Sequence, residues 1–287
     1  MKAQLKRGVA AAAVSVSVLA AVVSGGGSST AQPSGLRAFG ISSDGTLMAT
    51  FTTDRPQVLD WVRQIQGFSG DTAAIGLDFR VQDGLMYLVG NKGGIYTVKL
   101  PTPPATDPVI TKVSQLTIAL YGTNFGVDFN PAADRLRVTS DNGQNLRHDL
   151  NTHTTVADTT LSTPPTPGAT KGVTAAAYTN NDLNPGTATT LFDIGTGTDQ
   201  VLIQSPANNG TLAPTGSLTV DAAANAGFDI FSTLSGGKAV SAAGFATLVT
   251  PDGSTSLYSV NLLNGTATHI GRFPLSITDL AISLSGS

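Results

Sequence analysis

The chain has 287 residues, 12 % of them charged and 40 % hydrophobic, with 19 acidic against 16 basic side chains and no cysteine. That length suits one large all-β domain or two smaller ones, and the missing cysteines exclude disulfides, thiolate nucleophiles and Cys-ligated zinc. Every acid is Asp, a residue of turns and caps, and no Glu is present to favour helix or to act as a glutamate general acid.

The amino terminus has the three parts of an export signal. Lys2, Lys6 and Arg7 are basic, Gly8 to Val23 is an apolar and small-residue run, and Ser24 to Ala31 is small and polar. The run has 16 residues, short of the roughly 20 that span a bilayer. Ser29-Thr30-Ala31 places small residues at −3 and −1, so cleavage is expected after Ala31, dividing the chain into a signal peptide (1–31) and a single domain (32–287). Val23-Ser24-Gly25-Gly26 resembles a lipoprotein box with Gly where the lipidated Cys would stand, so no thioether-linked lipid can form. Removing the three basic residues leaves 13 basic against 19 acidic groups, a net charge of −6. A secreted or extracytoplasmic monomer with no remaining membrane span is expected, and nucleic acid and anionic membranes are disfavoured as partners.

The first strands are expected at Leu36 to Ile41, Thr46 to Thr52 and Val58 to Gln66. Val58, Trp61, Val62 and Ile65 in the third also fit helical spacing, but the segment is read as an outer strand. A marker pattern of Gly or Ala, an apolar residue and Asp then recurs about every 50 residues. It appears at Ile75 to Phe79 and Phe125 to Phe129, in degenerate form at Val173 to Tyr178 with Ala177 in the Asp position, at Ala226 to Ile230, and at Ile277 to Ile282. Between markers lie further strands: Leu85 to Val89, Gly94 to Leu100 and Val109 to Leu116; Arg135 to Thr139 and Asn145 to Leu150; Leu191 to Ile194, Val201 to Gln204 and Leu212 to Leu218; Ala239 to Thr250, Ser256 to Leu262 and Ala267 to Phe273. Asp44-Gly45, Asp83-Gly84, Asn142-Gly143, Asn209-Gly210, Asp252-Gly253 and Asn264-Gly265 are dipeptides favoured by type I′ hairpins, in which both central residues have positive φ. Ser162 to Thr170 reads as a Pro-rich loop.

The last marker strand has no partners after it, and the first three strands have no marker before them. Pairing Ile277 to Leu284 with the amino-terminal strands repairs both and closes a ring. The expected fold is an all-β, five-bladed β-propeller with four-stranded antiparallel blades.

The string GVDFNPAADRLRVTSDNGQNLR (Gly126 to Arg147) resembles the hallmark of a family of exported bacterial proteins known as domain-of-unknown-function family 4394. Val173 to Ile194, AGFDI (Ala226 to Ile230) and SLYSVNLLNGTATHIG near the end match it too. The resemblance covers nearly all of the chain beyond the export segment. It implies an exported, propeller-like repeat domain with no established activity and no accepted catalytic residues.

Two constellations could carry chemistry. Asp78, Asp128, Asp229 and Asp279, on innermost strands, could converge in the channel and bind Ca²⁺, which favours hard oxygen ligands; otherwise each accepts backbone hydrogen bonds and pins its blade to the next. No other cofactor is indicated. The turn Asp141 to Arg147, with Gln144, Asn145 and Arg147, would share a face with Tyr121 and Asn124, and Arg147 could fork a carboxylate or phosphate. The competing role is ion pairing of Arg137 and Arg147 with Asp134, Asp141 or Asp149. No Gly-x-Ser-x-Gly elbow exists, and His148, His153 and His269 form no metal-binding motif. The reading is a non-catalytic module for a small molecule, a glycan or a surface protein, with a metal-dependent hydrolase or lactonase-like enzyme, using the channel aspartates as ligands, as its alternative.

Overall fold

Alternating apolar residues and closely spaced turns make short antiparallel strands, and the chain arranges them as five wedges around one axis. The computed structural model describes residues 35–101 and 107–287; the expected export segment lies outside them. The first blade is ordered β20-β1-β2-β3, from β1 (Arg37–Ser42), β2 (Leu47–Thr52), β3 (Trp61–Gln64) and the last strand, β20 (Ile277–Ile282). The second holds β4 (Ala74–Phe79), β5 (Met86–Gly90), β6 (Gly94–Lys99) and β7 (Val109–Gln115). The third holds β8 (Phe125–Asn130), β9 (Arg135–Ser140), β10 (Asn145–Asp149) and β11 (Thr154–Ala157). The fourth holds β12 (Val173–Tyr178), β13 (Leu191–Gly195), β14 (Gln200–Gln204) and β15 (Leu212–Ser217). The fifth holds β16 (Ala226–Ser235), β17 (Lys238–Val249), β18 (Thr255–Val260) and β19 (Ala267–Arg272).

Ring closure is as expected. β20 pairs antiparallel with β1, Phe39 opposite Ala281 and Ile41 opposite Asp279. The ambiguous third segment is a strand of four residues, shorter than expected and half-exposed at the ring's outside. Among the described residues no helix is long and apolar enough to cross a membrane.

The turn chemistry differs from the expectation. In the six dipeptides only the Gly has positive φ (Gly45, Gly84, Gly143, Gly210, Gly253 and Gly265), and the preceding Asp or Asn does not. These are therefore not type I′ turns. In four of them the Asp or Asn side chain instead accepts the N–H two residues on: Asp44 from Thr46 (3.1 Å), Asp83 from Leu85 (3.0 Å), Asp252 from Ser254 (3.1 Å) and Asn264 from Thr266 (3.0 Å). The Asp satisfies a backbone donor and the Gly takes the left-handed position.

Four of the five seams between blades are packed with large apolar clusters. Phe39, Met48, Leu77 and Tyr96 fill the first–second seam; Tyr87, Val89, Phe129 and Leu136 the second–third; Phe192, Val201, Phe228 and Tyr258 the fourth–fifth; Phe51, Phe245, Phe273 and Leu280 the fifth–first. Among the described residues the third–fourth seam has only small clusters, around Leu161 and Leu202 and around Ala176 and Tyr178. A polar network supplies the rest. Arg137, 2 % exposed, donates to Tyr178 Oη (3.2 Å), Asn145 Oδ1 (2.7 Å), Asp158 Oδ2 (2.6 Å) and Asn208 Oδ1 (2.8 Å).

Candidate functional site

The innermost strands meet at the axis because their marker sequences let them approach closely. A Cβ on Gly126 would lie 2.5 Å from the Ala176 nitrogen, and one on Gly76 would lie 2.4 Å from Val127 Cγ2. Glycine two residues before the Asp thus lets β4, β8 and β16 lie close against the next inner strand.

The carboxylates use this proximity. Asp78 accepts from its own neighbour Phe79 (2.6 Å) and from Phe129 of the next blade (2.7 Å). Asp128 accepts from the Tyr178 N–H. Asp229 accepts from Ile230 (2.6 Å) and from Ile282 across the closing seam (2.6 Å). Asp279 accepts from Leu77 (3.0 Å) and also takes backbone bonds from Leu280 and Phe228. Four seams are therefore clasped by an aspartate of an inner strand. The fourth–fifth seam, where Ala177 replaces Asp, is instead linked by the Asn180 N–H to Ser232 Oγ (3.0 Å).

The pairing also sets the true register of the last marker. Asp78 bonds to the residue after Asp128, whereas Asp229 bonds to Ile282, so Ala281 and not Asp279 stands in the marker position. Asp279 occupies the glycine position two residues earlier: a Cβ on Gly227 would lie 2.3 Å from Asp279 Cα, and one on Gly76 3.2 Å from its Oδ2. The marker ring consequently reads Ala281, Asp78, Asp128, Ala177, Asp229.

Within that ring, one oxygen from each of Asp78, Asp128 and Asp229 lies within 4.8 Å of the others, all three residues being buried. Asp279 lies outside this group. Burial, then the Asp229 charge, holds Asp78 well above the usual carboxylate range. Burial, then the charges of Asp78 and Asp229, does the same for Asp128. Burial pushes Asp229 up to about 6. These shifts express the cost of gathering like charges away from water. A small pit reaches the triad from the end of the channel where the inner strands finish, walled by Phe79, Phe129, Tyr178, Asn180 and Ile282. Its free space is about 10 Å³, room for one water molecule or one bare cation.

The turn cluster of the third blade is brought together too, and its polar atoms are used internally. Asp141 accepts from the N–H groups of Thr123 (3.0 Å) and Asn124 (3.1 Å) and from Asn124 Nδ2 (3.1 Å). Gln144 accepts from the Tyr121 N–H (3.1 Å) and donates to the Ala119 carbonyl (2.8 Å). Asn145 is buried against Arg137, Thr159, Ala207 and Gln204. Arg147 donates its Nε to Asp158 (2.6 Å), a partner the sequence did not single out, and Arg137 shares it. The Tyr121 ring is exposed.

A family model described as a domain of unknown function (DUF4394) matches residues 47–281. The chain belongs to the DUF4394 family. No curated protein matches this DUF4394 chain. Among solved structures it is similar to an auxiliary nutrient binding protein from Bacteroides thetaiotaomicron, at 12 % identity and a TM-score of 0.44 over 86 % of this chain and 68 % of that one. It is similar to a glutaminyl cyclase from Myxococcus xanthus, at 12 % identity and a TM-score of 0.44 over 82 % and 93 %. A Bacteroides thetaiotaomicron protein of unknown function aligns at 14 % identity and a TM-score of 0.47 over 85 % and 65 %.

Proposed function

We propose that this DUF4394 chain is an exported binding module whose channel holds a cation between Asp78, Asp128 and Asp229. The observation that carries the reading is the triad itself: three buried carboxylates within 4.8 Å of one another, at the floor of a pit. Three negative charges at that spacing repel strongly in a medium of low dielectric constant. They must share protons or share a cation. Carboxylates and a water-sized space suit a hard, oxygen-seeking ion such as Ca²⁺. Clasped backbone N–H groups already use one lone pair on each oxygen of Asp78 and Asp229, which favours a held ion over a substrate site. Export is supported by the pattern of residues 1–31.

Titration calorimetry with Ca²⁺, Mg²⁺ and Mn²⁺ tests this. The parent protein is expected to bind one equivalent of at least one ion, and Asp128→Asn, which keeps the amide oxygen for the Tyr178 N–H, is expected to lose it. No heat with any ion, or unchanged binding in the variant, would remove the reading. The alternative, a metal-dependent hydrolase or lactonase-like enzyme, draws on the same triad. Metal-dependent lactone turnover abolished by Asp128→Asn would put it in place of the binding module.

A further inference from the structure

The outer edge of the second–third seam gathers a set of side chains that the channel does not use. Ser114 on β7, His148 on β10 and His153 in the β10–β11 turn come from two blades. Ser114 Oγ lies 2.8 Å from His148 Nε2 and 2.9 Å from His153 Nδ1. His148 Nδ1 lies 2.9 Å from Thr155 Oγ1, which accepts the Thr117 N–H at 2.9 Å. Ser114 is 8 % exposed, His148 is fully buried and His153 is exposed. An open groove of about 500 Å³ is lined by Lys112, Val113, Ser114, Gln115, Thr117 and His153.

A hydroxyl held between two imidazoles, one of them fixed by a third group so that it donates, has its own proton directed at the other, which can accept it. We propose that Ser114 is a nucleophile for acyl transfer from small activated esters bound in this groove, with His153 as its base. The Thr117 N–H is a fixed donor to Thr155 Oγ1, which frees the Thr155 hydroxyl proton for His148 Nδ1. His148 then carries its proton on Nε2 and donates it to Ser114 Oγ, and Ser114 donates its own proton to His153 Nδ1. Burial, then the nearby His153 charge, pushes His148 down to about 4, so it stays neutral and keeps this orientation near pH 7. In the reaction Ser114 Oγ bonds to the ester carbonyl carbon, and its proton passes to His153 Nδ1. The bond to the leaving oxygen breaks, and that oxygen takes the proton from His153. The products are an acyl-serine and a free alcohol or phenol. Water attacks the acyl carbon as His153 accepts its proton; the carbon–Ser114 Oγ bond breaks and Oγ takes that proton from His153, returning the free serine and a carboxylic acid.

The test uses a fluorophosphonate probe, which transfers its phosphonyl group to an activated serine with loss of fluoride, followed by peptide mass spectrometry. The purified protein is expected to carry one phosphonyl group, on the peptide containing Ser114. His153→Gln changes an exposed residue, so folding is retained, and labelling is expected to slow about a hundredfold, as for loss of a general base. Ser114→Ala is expected to abolish labelling. No adduct, an adduct on another residue that survives Ser114→Ala, or an unchanged rate in His153→Gln would each overturn the proposal.

Discussion

Arg137→Met tests how the third–fourth seam is held. The side chain is buried and makes four hydrogen bonds, to Tyr178, Asn145, Asp158 and Asn208. Two acceptors keep another donor, since Asp158 retains Arg147 (2.6 Å) and Asn145 retains Gln204 (3.3 Å). Asn208 Oδ1 loses the donor that fixes it, and Asp158 loses the more buried of its two guanidinium partners. Removing one side of a buried ion pair costs about 3–5 kcal/mol. Because Arg147 still faces Asp158, the lower end applies, about 3 kcal/mol. With a urea slope of about 3 kcal/mol per M, the unfolding midpoint should fall by about 1 M. Arg137→Lys keeps the charge but not the fork and should fall between parent and Arg137→Met. Urea unfolding followed by circular dichroism reads both. A loss under about 1 kcal/mol in Arg137→Met would mean the seam is held by its small apolar clusters, and the reasoning would fail.

Two further perturbations follow from the seams. The stability of the metal-free protein is expected to fall as pH rises above about 6.5. Asp193 is pushed up to about 8 by burial, against the pull of Arg137, and both its oxygens lack a partner among the described residues. Asp78 and Asp128 are raised as well. A folded-state value above the unfolded one gives stability that is complete below the unfolded value and is lost as pH climbs through the folded value, at about 1.4 kcal/mol per pH unit per group. His148, held down to about 4, acts in the opposite sense only below its unfolded value of 6.5. Thermal melts from pH 6.5 to 8.5 should show the decline, and Asp193→Asn should make it shallower; a flat parent profile would contradict the assignment. Gly126→Ala would place a Cβ 2.5 Å from the Ala176 nitrogen and 2.7 Å from the Ala175 carbonyl carbon. Backbone cannot yield as a side chain can, so a loss of about 1–3 kcal/mol is expected in urea unfolding, and parent-like stability would show that the inner strands are not in close contact.

The architecture was legible because its signals are local and repeated. Marker strands spaced about 50 residues apart, and a last strand with no partner of its own, were enough to close the ring. β11 went unread because Thr154–Ala157 is an exposed edge with no buried alternation. The last marker position is held by Ala281, two residues beyond the expected Asp279; both point to the same side of the strand, and periodicity alone cannot tell which one meets Asp229. Only the Asp229 to Ile282 bond does so. The dipeptides do mark turns, but the turn conformation depends on whether the Asp side chain captures a backbone N–H, which residue preference does not reveal. At the channel, convergence of Asp78, Asp128 and Asp229 follows from ring geometry and could be anticipated. Ser114 with His148 and His153 could not, because residues 34 and 39 positions apart, on different blades, meet only when the seam forms.

The cation in the channel is tested most directly by crystals grown with Mn²⁺ and measured for anomalous scattering. The account predicts one peak on the axis, bonded to oxygens of Asp78, Asp128 and Asp229 at roughly octahedral distances near 2.2 Å. A channel without a peak, its three carboxyls bonded to one another through shared protons, would contradict it.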